Sequence, residues 1–118
     1  MSNEQWDKII LKKIIQYCDE ANEMLDQCGD TQEGFMKNKA CRYAAAMCLM
    51  QIGELSNRVS DAAKIQMSVI SWNAIRGMRN VLAHDYMSVD WHVIRSTIAK
   101  NLPVLRLVCQ QYLNDLND

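Results

Sequence analysis

The chain has 118 residues, 49% hydrophobic and 23% charged, with four glycines and one proline, which suits a single closed core and excludes collagen-like, low-complexity and disordered chains. Its formal net charge of −1 gives no global basic field for nucleic acid. No apolar run approaches the roughly 20 residues of a membrane span, and Met1-Ser2-Asn3-Glu4-Gln5 lacks the basic flank of a secretory leader, so a cytoplasmic protein without membrane contact is expected.

A first amphipathic helix is predicted over about residues 3–28, because Ile10, Ile14, Tyr17, Ala21, Met24 and Cys28 alternate four and three apart. Ser2 with Gln5 forms a capping box at its start, and Gly29-Asp30 fits its stop. A second helix is expected from about Glu33 to Arg58, with Cys41, Ala44, Ala45, Cys48, Ile52, Leu55 and Val59 on one stripe and Gly53 as a weak point. Ser60 to Ser71 is less regular. Ser71 is then read as the N-cap of a third helix running from Trp72 to His84.

After the turn Asp85-Tyr86-Met87-Ser88, a fourth helical stretch aligns Ile94, Ile98, Leu102, Leu105, Cys109, Tyr112 and Leu116. Pro103 removes a backbone donor, so a kink or short break is expected near Asn101. The pattern predicts an all-α fold, an up-and-down antiparallel four-helix bundle, as one domain over residues 1–118.

Charge is divided unevenly along the chain. Residues 1–33 hold three lysines against eight acids, whereas residues 34–111 hold ten basic residues against four acidic ones. The basic part suits a polyanion, and the acidic run reads as a solvated face. The five cysteines are odd in number, form no CxxC pair and read as reduced core residues. His84 and His92 have no nearby cysteine and no HExxH arrangement, so neither a metal nor another cofactor is expected.

The polar groups suited to chemistry concentrate in Arg76, Arg79, Asn80, His84, Asp85 and Tyr86. At about 100° per residue, Arg76, Asn80 and His84 share a helix face, while Arg79 stands about 140° from His84. Bringing Arg79 and His84 to one phosphate therefore requires fraying near Ala83, long side-chain reach, or a second subunit. By itself a histidine here is a helix C-cap, Arg79 a salt-bridge partner for Glu54 or Asp85, and Trp72 and Trp91 are core or interface aromatics.

The string Arg79-Asn80-Val81-Leu82-Ala83-His84-Asp85-Tyr86 resembles the R-N-x-x-x-H-x-Y form of the R-x4-6-H motif of HEPN domains, in the HepT-like branch. Arg42, Ile52-Gly53-Glu54, Trp72-x-x-Ile75-Arg76-Gly77, Val89-Asp90 and Asn101-Leu102-Pro103 extend the resemblance in order and spacing over about residues 5–116. The chain departs from the branch where Ser68-Val69-Ile70-Ser71 lacks a proline before the tryptophan and where Val81 replaces a frequent second arginine.

The resemblance implies a homodimer of four-helix bundles and a metal-independent endoribonuclease, the toxin of a type VII toxin–antitoxin pair. Arg79 and His84 are then the catalytic residues. Imidazole titrates near neutrality and suits a proton-transfer role, and a guanidinium binds two phosphate oxygens as a fork. Arg76 and Asn80 are expected to contact RNA or support the site, and Glu54 is either a solvated position or a partner that holds the Arg79 or Arg76 guanidinium. Tyr86 takes the position to which an MntA-like nucleotidyltransferase antitoxin transfers AMP. The alternative is a non-catalytic HEPN module that binds nucleotide, RNA or the partner nucleotidyltransferase.

Overall fold

In the computed structural model, which describes residues 1–117, the fold is all-α. The elements are α1 (Asn3–Cys28), α2 (Gln32–Lys37), α3 (Lys39–Ser56), α4 (Asp61–Gln66), α5 (Trp72–His84), α6 (Trp91–Ser96) and α7 (Leu102–Asn117). A 3-10 turn, Tyr86–Ser88, precedes α6, and a π-helical turn, Thr97–Asn101, joins α6 to α7. The expected domain end at Asp118 lies outside the described residues. Among those residues no helix is long and apolar enough to cross a membrane.

The apolar stripe of α1 is the spine of the core. Ile10, Leu11, Ile14, Ile15, Cys18, Ala21 and Leu25 are buried against α3 on one side and α7 on the other. The capping box at Ser2 and Gln5 forms, with the Gln5 N–H donating to Ser2 Oγ at 3.2 Å and the Ser2 N–H to Gln5 Oε1 at 2.9 Å. Gly29 closes the helix, its N–H donating to the Leu25 carbonyl. A Cβ there would lie 2.9 Å from Leu25, 3.0 Å from Phe35 and 3.1 Å from Cys41, so glycine is required by packing.

Four local expectations need correction. The single helix expected from Glu33 to Arg58 is two helices, because the Asn38 side chain accepts from the Cys41 N–H at 2.9 Å and starts α3 afresh. The irregular stretch after Ser60 contains α4, capped by the Ser60 hydroxyl accepting from the Ala63 N–H. Ser71 precedes α5 but its side chain makes no cap bond. Its ψ of 84° falls short of the 152–164° at Ser60, Thr31 and Ser2, whose hydroxyls do cap.

The cysteines are not all reduced, which is the fourth correction: Cys28 and Cys41 form a disulfide, with Cα atoms 6.0 Å apart. The turn at Gly29 folds the end of α1 against the start of α3, a juxtaposition that a 13-residue spacing does not announce. Cys18, Cys48 and Cys109 remain free thiols. Burial pushes Cys18 and Cys109 up to about 12, so both stay protonated core side chains through the physiological range.

The expected disturbance near Pro103 takes the form of the π-helical turn. The Leu102 N–H reaches back to the Thr97 carbonyl. The wider turn accommodates a ring that would otherwise clash with the carbonyl four residues earlier, and the buried stripe Ile94, Ile98, Leu102, Leu105, Cys109 continues through it.

The helix α5 is the outlier. It packs chiefly on α3, and of its residues only Leu82 is buried. Asn73, Ala74, Arg76, Gly77, Asn80, Val81 and His84 face outward. A Cβ on Gly77 would meet nothing within 4 Å.

Candidate active site

The close approach of α5 to α3 is set at one point. A Cβ built on Gly53 would lie 2.7 Å from Arg79 Cγ and closer still to Arg79 Cβ, so only glycine lets α5 cross α3 at this register. Gly53 is therefore a packing point, and its cost to the helix interior is offset by the seat it makes for Arg79.

Above that seat the Arg79 guanidinium is held from two sides. One terminal nitrogen forms an ion pair with Glu54 on α3, and the other donates to Asn80 Oδ1 at 3.1 Å. Its Nε is buried without a hydrogen-bond partner. Each terminal nitrogen carries a second N–H, which leaves donors for an oxyanion. The side chain is 24% exposed, so the pair is partly shielded from water. One turn earlier, Arg76 Nε donates to Asn57 Oδ1 at 3.4 Å and its side chain is otherwise exposed.

His84 is the last residue of α5 and is exposed. The helix does not fray at Ala83, since the Asp85 N–H closes it on the Val81 carbonyl at 2.9 Å. The structure thus unites Arg79, Asn80 and Glu54, places Arg76 and His84 on the outer face, and leaves Arg79 and His84 on separate faces of one regular helix. Among the described residues, no group of three or more His, Cys, Asp or Glu converges as a metal cage.

Tyr86 is turned inward. Its ring stacks edge-on with Trp91 at 5.6 Å and lies 6.3 Å from Tyr43. Trp91 is sandwiched further, with Phe35 at 6.3 Å and the Arg42 guanidinium 5.7 Å from its centroid. Arg42 also donates to the carbonyls of Phe35 and Met36, which fixes the end of α2. Burial, and then the neighbouring Tyr43, raise the Tyr86 phenol above its ordinary range, with Arg42 opposing. The hydroxyl itself is shielded from water and has no hydrogen-bond partner.

An unpartnered buried hydroxyl costs stability. Tyr86→Phe is therefore expected to leave the thermal midpoint unchanged or raise it by a few degrees. Differential scanning calorimetry checks this, and a fall of several degrees would show that the hydroxyl is paired.

Sequence reading missed three contributors: Gly53 as the seat for Arg79, Tyr43 as the neighbour of Tyr86, and Asp7. The Asp7 carboxylate is 3% exposed. It accepts from the Ser60 N–H at 2.9 Å and the Ser60 hydroxyl at 2.5 Å, tying α1 to the cap of α4. The available signal was position, since Asp7 continues the Ile10–Ile14 stripe three residues back and so faces the core.

The family model described as "Ribonuclease HepT-like" matches residues 14–112, and the chain belongs to the HepT-like ribonuclease family. It is 28% identical over 112 residues to "Putative RNase MJ0125" of Methanocaldococcus jannaschii, covering 94% of each chain. It is 30% identical to "Putative RNase TTE0752" of Caldanaerobacter subterraneus subsp. tengcongensis, over 87% of this chain and 90% of that one. It is 31% identical to "Probable ribonuclease HepT" of Thermococcus cleftensis, over 63% of this chain and 67% of that one. No solved structure matches.

Proposed function

We propose that the chain is the toxin of a type VII toxin–antitoxin pair, a metal-independent endoribonuclease in which Arg79 and His84 act on the scissile phosphate. The observation that carries this reading is the seating of Arg79 by Gly53, Glu54 and Asn80, five residues before an exposed His84, in a member of a ribonuclease family. One imidazole takes the proton from the 2′-hydroxyl, whose oxygen attacks phosphorus. The P–O5′ bond breaks, a second imidazole protonates the leaving oxygen, and a 2′,3′-cyclic phosphate remains. Arg79 stabilises the charge that develops on the phosphoryl oxygens, with Arg76 adding a contact to the RNA backbone.

Two imidazoles at one phosphate require two copies of the chain, because the other histidine, His92, lies on α6. The outward face of α5, with Gly77 and Val81 bare, supports a homodimer in which two such faces oppose each other. A pair of copies also supplies the Arg79 and His84 combination that one regular helix holds apart.

Neutralisation falls to an MntA-like nucleotidyltransferase antitoxin that modifies Tyr86. The phenolic oxygen attacks the α-phosphorus of ATP, pyrophosphate leaves, and the phenol loses its proton. Because the hydroxyl is shielded between Tyr43 and Trp91, the Tyr86–Ser88 turn has to swing outward before transfer. The AMP group then adds negative charge and bulk two residues from His84 and repels RNA.

The test is incubation of purified chain, shown by mass spectrometry to be free of tyrosine modification, with cellular RNA in EDTA. Cleavage leaving 2′,3′-cyclic phosphate ends is expected. Intact RNA in the presence of well-folded protein would overturn the enzyme and favour a binding module.

A further inference from the structure

The geometry points to Tyr43 as a stacking platform for a nucleobase of the RNA, a subsite on α3 beside the Arg79–His84 face; this rests on the ribonuclease reading above. Tyr43 is 54% exposed although it belongs to an aromatic cluster, and its ring lies 6.3 Å from Tyr86, two residues from His84. Lys39, Tyr43, Met47 and Gln51 recur at four-residue spacing, so they form one stripe along α3. Met47 on that stripe is 55% exposed, and Lys39 makes no ion pair among the described residues. The stripe runs toward Glu54, which holds Arg79.

Charge selects a polyanion for this surface. Together α3 and α5 carry Lys39, Arg42, Arg76 and Arg79 with His84, against one acid, Glu54, which Arg79 already neutralises. A cation, an exposed phenol and a thioether in line beside unpaired arginine donors match what single-stranded nucleic acid offers, alternating phosphates and π faces. Stacking does not read sequence, so Tyr43 adds affinity and positions the strand without specifying the base.

The test is fluorescence anisotropy of a labelled single-stranded RNA of about ten nucleotides on His84→Ala protein, which prevents turnover and leaves the α3 stripe unaltered. Adding Tyr43→Ala is expected to weaken binding about tenfold, while Tyr43→Phe keeps affinity within about twofold. An oligonucleotide with abasic spacers in place of its bases is expected to bind equally with and without Tyr43→Ala, a result that a merely structural tyrosine would not give. Equal affinity of Tyr43 and Tyr43→Ala proteins for normal RNA would overturn the subsite alone. So would a changed assembly mass by light scattering on Tyr43→Ala, which would make the stripe an interface between copies. Absence of RNA binding by every protein tested would remove both the subsite and the ribonuclease reading.

Discussion

Replacing Gly53 with alanine is expected to lower RNA cleavage by about one to two orders of magnitude while moving the thermal midpoint only a few degrees. The two effects separate for a physical reason. Alanine gains about 1 kcal/mol of helix propensity at an interior glycine, which offsets much of the roughly 1–3 kcal/mol expected for overpacking. The added methyl nevertheless meets Arg79 Cβ and Cγ at less than contact distance, so α5 has to lift or the arginine has to leave its seat. Either movement strains the Glu54 and Asn80 bonds that orient the guanidinium, and a misplacement near 1 Å can cost about a hundredfold in rate. Cleavage kinetics and calorimetry on the same preparation check this. Unchanged kcat/KM in Gly53→Ala would show that the close crossing does not position Arg79 for chemistry.

The largest loss of stability is expected from Asp7→Ala, about 3 kcal/mol. The carboxylate accepts both the backbone and side-chain donors of Ser60, and Ser60 in turn caps α4. Removing it strands the half-buried Ser60 N–H and hydroxyl and loosens α4, the segment that leads into α5. Asp7 also bears on Tyr112 of α7, whose phenol is raised first by burial and then by the Asp7 charge, so the site links three parts of the core. Asp7→Asn keeps one acceptor and is expected to cost less than half as much. Urea denaturation with both variants decides this, and an Asp7→Ala midpoint equal to that of the native chain would contradict it.

Much of the fold is legible in the sequence because it rests on local rules. The 3.6-residue stripes of α1 and α7 appear as buried faces, the Ser2–Gln5 box and the Gly29 stop form as their residue types demand, and Pro103 distorts its helix where a missing donor must. The failures involve choices between near-equal local states or contacts made over distance. Asn38 could continue a helix or cap one, and capping wins because its side chain satisfies the Cys41 N–H. The pairing of Cys28 with Cys41 and of Asp7 with Ser60 depends on how helices meet, which periodicity does not encode.

The candidate site divides in the same way. Arg79, His84 and Tyr86 stand out as chemistry-bearing residue types in a family-like string, and the choice of Glu54 over Asp85 as partner for Arg79 is settled by the α3–α5 packing. Gly53 reads in the sequence as a weak point of its helix, whereas its position under Arg79 fixes that packing. The inward turn of Tyr86 depends on Trp91 and Tyr43, five residues later and 43 earlier in the chain, and no local pattern joins them.

The most direct measurement is cleavage of RNA in EDTA by the native chain, Arg79→Ala and His84→Ala, each shown to be folded by circular dichroism, with analysis of the product ends. Cleavage to cyclic phosphates by the native chain and a loss of about a hundredfold or more in each variant is the predicted result. A folded His84→Ala or Arg79→Ala protein that cuts RNA at the native rate would contradict the assignment of these residues to the chemistry.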